Sequence, residues 1–308
     1  MKIFFVCSGN QGISPIIGSQ ADSLNNKRIE LKIVPIIGKG VWGYLKNIPQ
    51  LRKQIMAFNP DIIHSHYSFC GIIAALASQK IPIVVSLMGS DTHQLKIMKL
   101  IIKLFSDYKW TKTIVKSEDM KIRLGLKNAV VLSNGVDLNL FHPLDKKECR
   151  QNLGWDLDNK YILFASNPDR KEKNFALAQG TINRIKINSV NLKIIYHIDH
   201  SQMPVYLNAA DILLLTSKWE GSPNIVKEAM ACNVPVVATK VGDIEYLFGN
   251  TEGYYYTDTD PDKLAGKINY VLNNDIKPNG RQRIIDLELD SESITDKLIQ
   301  VYQDVLSK

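Results

Sequence analysis

Predominantly apolar runs of strand length recur along the chain, and between them lie stretches whose apolar residues return with helical period. MKIFFVCS (1–8), ELKIVPI (30–36), PDIIHSH (60–66), PIVVSL (82–87), TKTIVKS (111–117) and AVVLSN (129–134) predict six strands in the first half. YILFASN (161–167), LKIIYHI (192–198), DILLLTS (211–217), VPVVAT (234–239) and GYYY (253–256) predict five in the second. Segments such as Ile48–Phe58 supply helices between several of them. Apolar strands separated by helices form parallel sheets with helices on both faces, so the predicted class is α/β with two doubly wound parallel-sheet domains. A polar stretch from His142 to Trp155, holding Pro143 and Gly154, marks the boundary and predicts domains at 1–145 and 146–290. Ser291–Leu306 reads as a last helix opened by a serine.

Length agrees with this division, since 308 residues make two domains of ordinary size, whereas a single core would stand near its limit. A hydrophobic fraction of 45% and a mean hydropathy of −0.10 describe a globular protein. No apolar run reaches about 18 residues and the opening IFFVC is too short for a signal peptide, so a cytoplasmic protein without a spanning segment is expected. Cys7, Cys70, Cys149 and Cys232 lie far apart, without a C-x-x-C pair, and predict buried thiols in a reducing compartment.

Charge is divided unevenly. Residues 1–150 hold 21 basic against 10 acidic side chains and residues 151–308 hold 17 against 21, a balance of +11 beside −4. The first half is therefore expected to meet something anionic. In Leu95–Phe105, Lys96, Lys99 and Lys103 recur at i, i+3 and i+7, with Ile97, Leu100, Ile101 and Leu104 on the other side of the helix. That is a basic amphipathic helix: either a domain helix with a solvated lysine face or a face that leans on anionic lipid headgroups. Nucleic acid fits poorly, because few aromatics interleave the basic residues.

The chemistry concentrates in SKWEGSPNIVKEAMACNVPVVAT (217–239). Glu220 precedes a helix and Glu228 lies inside it. Ser222 suits the N-cap and Pro223 the first helical position, which predicts a helix from Pro223 and unpaired amides at Asn224, Ile225 and Val226. Those amides and the positive end of the helix dipole, beside Glu220 and Gly221, make an anion site suited to phosphate. The segment lies between two buried strands, at the edge where parallel sheets bind ligands.

This segment resembles the E-x7-E signature of retaining glycosyltransferases of the GT-B fold, family 4, in which EG-P-x3-EA-x-A is followed by a P-V-x-A-T strand. SNGVDLNLFHP (133–143) is similar to the family's P-N-G-V-D-x3-F-x-P, with Ser133 where proline is usual. PDIIHSH, PIVVSLMGSD (82–91), NGVD and E-x7-E keep the family's order, so the likeness spans nearly the whole chain. It implies two Rossmann-like domains facing a cleft, with an acceptor-side first domain, a nucleotide-sugar-binding second domain, and residues 291–308 returning to the first. It also implies that Glu220 faces the donor sugar and Glu228 the nucleotide ribose. In the family an arginine and a lysine clamp the donor diphosphate, and a glycine of the first loop approaches the donor. Arg170 and Lys173 of NPDRKEKNF (167–175) carry the first role, although Asn167 stands where the arginine is usual. Gly12 of CSGNQGISP (7–15) carries the second, and Asn134 of the NGVD motif is placed with the donor contacts.

Met88 occupies the position where the family has a histidine facing the sugar, a contact that a thioether cannot reproduce. His64, His66 and His93 are expected to be structural or acceptor-facing. Asp258, Asp260 and Asp262 lack the glycine and later glutamate of a calcium loop and are expected in a solvated turn. No metal and no cofactor is expected: the charge that develops on the leaving diphosphate falls to Arg, Lys and helix amides. The resemblance implies an enzyme that moves a sugar, with retention of configuration, from a nucleotide-diphosphate-sugar to a glycan or lipid-linked acceptor in cell-surface polysaccharide synthesis. The expected place is the cytoplasm or the inner face of the membrane. The alternatives are a GT-B-fold sugar-nucleotide epimerase and a non-catalytic nucleotide-binding partner subunit.

Overall fold

The structure is a computed structural model that describes residues 1–10, 12–78 and 80–307. It divides into two compact units, Met1–Gly135 together with the segment from Ser291 onward, and Val136–Asp290. The first break lies at Gly135.

All six strands of the first unit form: Lys2–Ser8 (β1), Glu30–Ile36 (β2), Ile62–His66 (β3), Ile83–Ser86 (β4), Lys112–Val115 (β5) and Val130–Val131 (β6). They join in one parallel sheet of order β2-β1-β3-β4-β5-β6. Ile3, Phe4, Phe5 and Val6 of β1 are wholly buried, as a strand covered on both faces requires. The second unit holds Lys160–Phe164 (β7), Val190–Ile194 (β8), Ile212–Leu215 (β9), Val236–Thr239 (β10) and Tyr254–Thr257 (β11), in the parallel order β11-β10-β9-β7-β8. In each sheet the order reverses beside the first strand, between β1 and β3 and between β7 and β9. Open α/β sheets bind ligands at this switch point. The LKIIYHI strand is shifted. It begins at Val190 and stops at Ile194, and the chain then turns through His197, a residue with φ of 57°.

The helix Ser291–Leu306 buries Ile294, Leu298, Val301, Tyr302 and Val305 against the first unit, meeting the helix Pro15–Asn26. The Tyr302 hydroxyl lies 2.6 Å from His64 Nδ1, and His64 Nε2 lies 2.9 Å from Ser86 Oγ. His64 is thus a hydrogen-bonded core residue. His66 stacks on it with ring centroids 4.4 Å apart. Burial holds both imidazoles neutral, His64 well below the usual histidine range and His66 at about 3.

The basic helix runs from Lys96 to Tyr108, and its faces differ from expectation. Met98, Ile102 and Phe105, spaced i, i+4 and i+7, pack on the core. Ile97, Leu100 and Leu104, expected on the side of the helix away from the lysines, are 61%, 53% and 47% exposed, and Tyr108 is 78% exposed. Each of the first three follows a lysine by one position, about 100° around the helix. An apolar stripe at i, i+3, i+7 and i+11 therefore runs beside the lysine stripe on the outer surface. Among the described residues no helix is long and apolar enough to cross a membrane.

Candidate functional site

Three loops at the carboxyl edge of the second sheet are stitched together. The one after β7 forms a 3-10 turn, Lys171–Lys173; the one after β9 holds Ser217–Pro223; the third follows β10. The Lys218 amide donates to the Glu172 carbonyl at 2.8 Å, and Thr216 Oγ1 donates to the carbonyls of Lys173 and Asn174 at 2.9 and 3.2 Å. From the other side Thr239 Oγ1 donates to the Ser217 carbonyl at 2.6 Å. Gly242, with φ of +55°, lies so close to the Gly221 carbonyl that a Cβ on it would fall 2.7 Å from the oxygen. Only glycine meets both the backbone conformation and the approach. This framework stands at the switch point between β7 and β9.

Glu220 sits in the middle loop. Its Oε1 accepts from Lys173 Nζ at 2.5 Å and from Ser217 Oγ at 2.7 Å, with both charged side chains 16% exposed. Such a pair loses part of its hydration and keeps an open edge toward solvent. Lys173 and Glu220, chosen separately from the sequence, thus meet directly. Arg170 pairs instead with Glu172 Oε1, at 2.6 Å, and is more exposed.

The helix of the E-x7-E segment is Asn224–Ala231, one residue shorter at its start than predicted. Pro223 has ψ of 111° and acts as the cap, and no side chain caps the helix. Ser222 Oγ is buried, with the Asp243 carboxylate as its neighbour. The Val226 amide donates to the Pro223 carbonyl at 3.2 Å, which removes it from the expected trio with Asn224 and Ile225. Glu228 projects elsewhere than Glu220: its Oε1 lies 2.9 Å from His200 Nε2. The neighbouring Lys227 is wholly buried, and burial lowers its ammonium to about 8 despite the carboxylates of Asp243 and Glu228. Burial raises Asp243 to about 6, against the pull of Lys227 and Ser222.

Gly12 and Asn134 belong to the first unit. Gly12 follows β1 with φ of +81°, and a Cβ there would meet open space within its own surroundings. Its backbone, not crowding, calls for glycine. The close approach in that loop is Gly9, where a Cβ would fall 2.6 Å from Pro35 Cβ. Gln11 of the same turn lies outside the described residues. The Met88 amide donates to the buried Asp91 at 2.7 Å. Asp260 caps the helix Pro261–Asn273. Among the described residues no three His, Cys, Asp or Glu side chains gather as metal ligands.

The sequence had not singled out Ser217, Gly242, Lys227, Asp243 or His200. Ser217 and Lys227 lay within the motif itself. A lysine amid apolar neighbours on a helix followed by a buried strand was the available signal for Lys227.

The family model described as Glycosyltransferase Family 4 matches residues 13–140, and that described as Glycosyl transferases group 1 matches residues 181–286. The two matches support a GT-B glycosyltransferase of family 4. Among family relatives, the putative teichuronic acid biosynthesis glycosyltransferase TuaC of Bacillus subtilis is 31% identical over 216 residues, covering 62% of this chain and 56% of that protein. The chain therefore spans little over half the length of this relative. The UDP-Gal:alpha-D-GlcNAc-diphosphoundecaprenol alpha-1,3-galactosyltransferase of Escherichia coli is 24% identical and is covered to 80%, with 85% of this chain. Anabaena Alr3699/HepE, solved in complex with UDP and glucose, superposes with a TM-score of 0.81 over 99% of this chain and 100% of that one. At 16% identity that likeness is one of fold, and the fold is GT-B.

Proposed function

We propose that the protein transfers a sugar, with retention of configuration, from a nucleotide-diphosphate-sugar to a glycan or lipid-linked acceptor in surface polysaccharide synthesis. The observation that carries this reading is the Lys173–Glu220 pair at the switch point, with Glu228 one turn into the helix that follows. Glu220 faces the donor sugar and Glu228 accepts from the ribose hydroxyls. Lys173, Arg170 and the first turn at Asn224 and Ile225 stabilise the leaving diphosphate, and Gly221, Ser222 and Pro223 shape the loop around it. Gly12 and Asn134 supply further donor contacts. The relatives named for teichuronic acid and for a diphosphoundecaprenol acceptor support the acceptor class.

A thermal-shift panel of UDP-, GDP- and ADP-sugars tests the donor class, since a ligand at 100 times Kd adds about 2.7 kcal/mol. One of the three is expected to raise the melting temperature, and free nucleoside diphosphate is expected to form slowly without an acceptor. Both are expected to persist in EDTA. Loss of turnover in EDTA with recovery in Mg²⁺ or Mn²⁺ would remove the metal-independent mechanism. A panel without any shift would remove the donor assignment.

A lipid-linked acceptor places the work at the inner face of a membrane, and the helix Lys96–Tyr108 supplies a matching surface. Its three lysines contribute on the order of 1 kcal/mol each near anionic headgroups. Lys103 is already paired with Asp107 at 3.1 Å, so between about thirtyfold and a hundredfold in partitioning is expected. The exposed Leu100 and Leu104 add burial in the interface. In co-sedimentation with phosphatidylglycerol vesicles, wild type is expected to pellet at low salt. Lys96→Glu/Lys99→Glu/Lys103→Glu and Leu100→Ser/Leu104→Ser variants are expected to stay in solution. Equal pelleting of all three proteins would return the helix to a solvated domain face.

A further inference from the structure

Glu228 is buried, and its partner comes from a distant part of the chain. His200 lies in the 3-10 turn His200–Gln202, ahead of the helix Met203–Ala209. Its Nε2 reaches Glu228 Oε1 at 2.9 Å, with side chains 31% and 10% exposed. The imidazole is held from a second direction by Phe141 of the NGVD segment, whose ring centroid is 5.2 Å away. Phe141 is itself anchored, because Arg281 Nη1 donates to its carbonyl at 2.7 Å. Segments remote in sequence thus hold in place the imidazole that meets this carboxylate.

A glutamate carries three rotatable bonds, and ordering such a side chain on binding costs affinity. A carboxylate fixed through one oxygen before the ligand arrives has already met that cost. We propose that His200 is a positioning residue, which pre-orders the Glu228 carboxylate for the ribose of the donor nucleotide. This inference rests on the reading of Glu228 as the ribose acceptor. It adds a residue that no part of the E-x7-E motif contains.

The bond to Glu228 raises His200 above the usual histidine range, against its burial, which lowers it. Asp199 also acts on the imidazole, although its carboxylate is bonded to the amide and hydroxyl of Ser201 at 2.8 and 2.6 Å. Lys227 acts on Glu228 from within its own helix, and Arg281 is engaged by the carbonyls of Leu138, Phe141 and Ala231. A histidine whose charged form is favoured by its partner contributes fully below its unpaired value near 6.5. It loses that contribution as the pH rises through the raised value. Positioning is therefore strongest in mild acid and fades in base.

Calorimetric affinities for UDP, GDP and ADP, taken from about pH 6 to pH 9, test this with His200→Ala, His200→Gln and Glu228→Ala. The nucleotide that wild type binds tightest is the probe. Taking each variant as a ratio to wild type at the same pH cancels ionisation of the ligand. His200→Ala is expected to weaken binding about tenfold at pH 6, equivalent to about 1.4 kcal/mol, and about twofold at pH 9. His200→Gln keeps a neutral donor and is expected to match wild type at pH 9 while falling a few-fold short at pH 6. A ratio near one throughout, or a penalty that does not change with pH, overturns the proposal. Should His200→Ala fail to fold, the pH course of His200→Gln decides alone. Glu228→Ala separates the two levels. If it binds as wild type does, the ribose reading itself falls; if it weakens binding while both His200 variants behave as wild type, only the positioning role falls.

Discussion

Glu220→Gln is expected to lower transfer turnover by about 10²–10³-fold while leaving affinity for the bare nucleoside diphosphate within about threefold. The substitution keeps the shape of the side chain and removes its charge. A carboxylate that meets the sugar acts where charge develops, so its loss appears in the chemical step and not in the binding of a ligand that lacks the sugar. Lys173 complicates this, because its ammonium lies on Glu220 and loses its counter-ion in the same variant. Uncompensated buried charge costs about 3–5 kcal/mol when fully enclosed, and less here, where each partner keeps an open edge. Lys173→Met provides the control. If Glu220 serves only to hold Lys173, the two single variants share one phenotype and the double variant is no worse than either. If it faces the sugar, Lys173→Met weakens the nucleotide and Glu220→Gln does not. Turnover by Glu220→Gln within threefold of wild type would end the sugar-facing assignment.

How far the site could be read from the sequence follows from which interactions are local. The strands stood out because β1, β4, β9 and β10 are buried on both faces, which leaves short, mostly apolar runs. β8 pairs on one side only, carries Asn191 and Lys193, and was misplaced by two residues at its start. Glu220 and Glu228 were legible because loop, helix and strand follow one another within the segment. That helix starts one residue later than the local rules predict, although Ser222 and Pro223 satisfy those rules for a cap and a first turn. Gly242, arriving from beyond β10, presses on the Gly221 carbonyl and is part of the path those residues follow. His200 was invisible for the same reason, since its partner is 28 positions away on another helix. The basic helix shows a further limit. Its apolar residues cover two arcs, and only contact with the core selects Met98, Ile102 and Phe105 as the inner one.

Deleting the chain from Ser291 onward is expected to unfold the first unit and spare the second. Ile294, Leu298, Val301, Tyr302 and Val305 are all buried against that unit, and each fully buried side chain of this size contributes about 1.5–3 kcal/mol. Five of them amount to about 7–15 kcal/mol, as much as the whole stability of a typical domain. The ion pairs of Lys27 with Glu292 and Asp296 are exposed and add little to this. Truncation also strips Tyr302 from His64, which leaves a buried imidazole nitrogen without its partner. Tyr302→Phe isolates that part and is expected to cost about 1–3 kcal/mol, a fall of about 2–10 °C in melting temperature for a unit of this size. Val136–Asp290 keeps its own core and sheet, so the truncated chain is expected to retain a cooperative transition. Calorimetric melting with limited proteolysis distinguishes the outcomes. A truncated chain that melts within about 2 °C of the full chain, with the first unit resistant to protease, would show that the terminal helix only lies against a domain that is already stable.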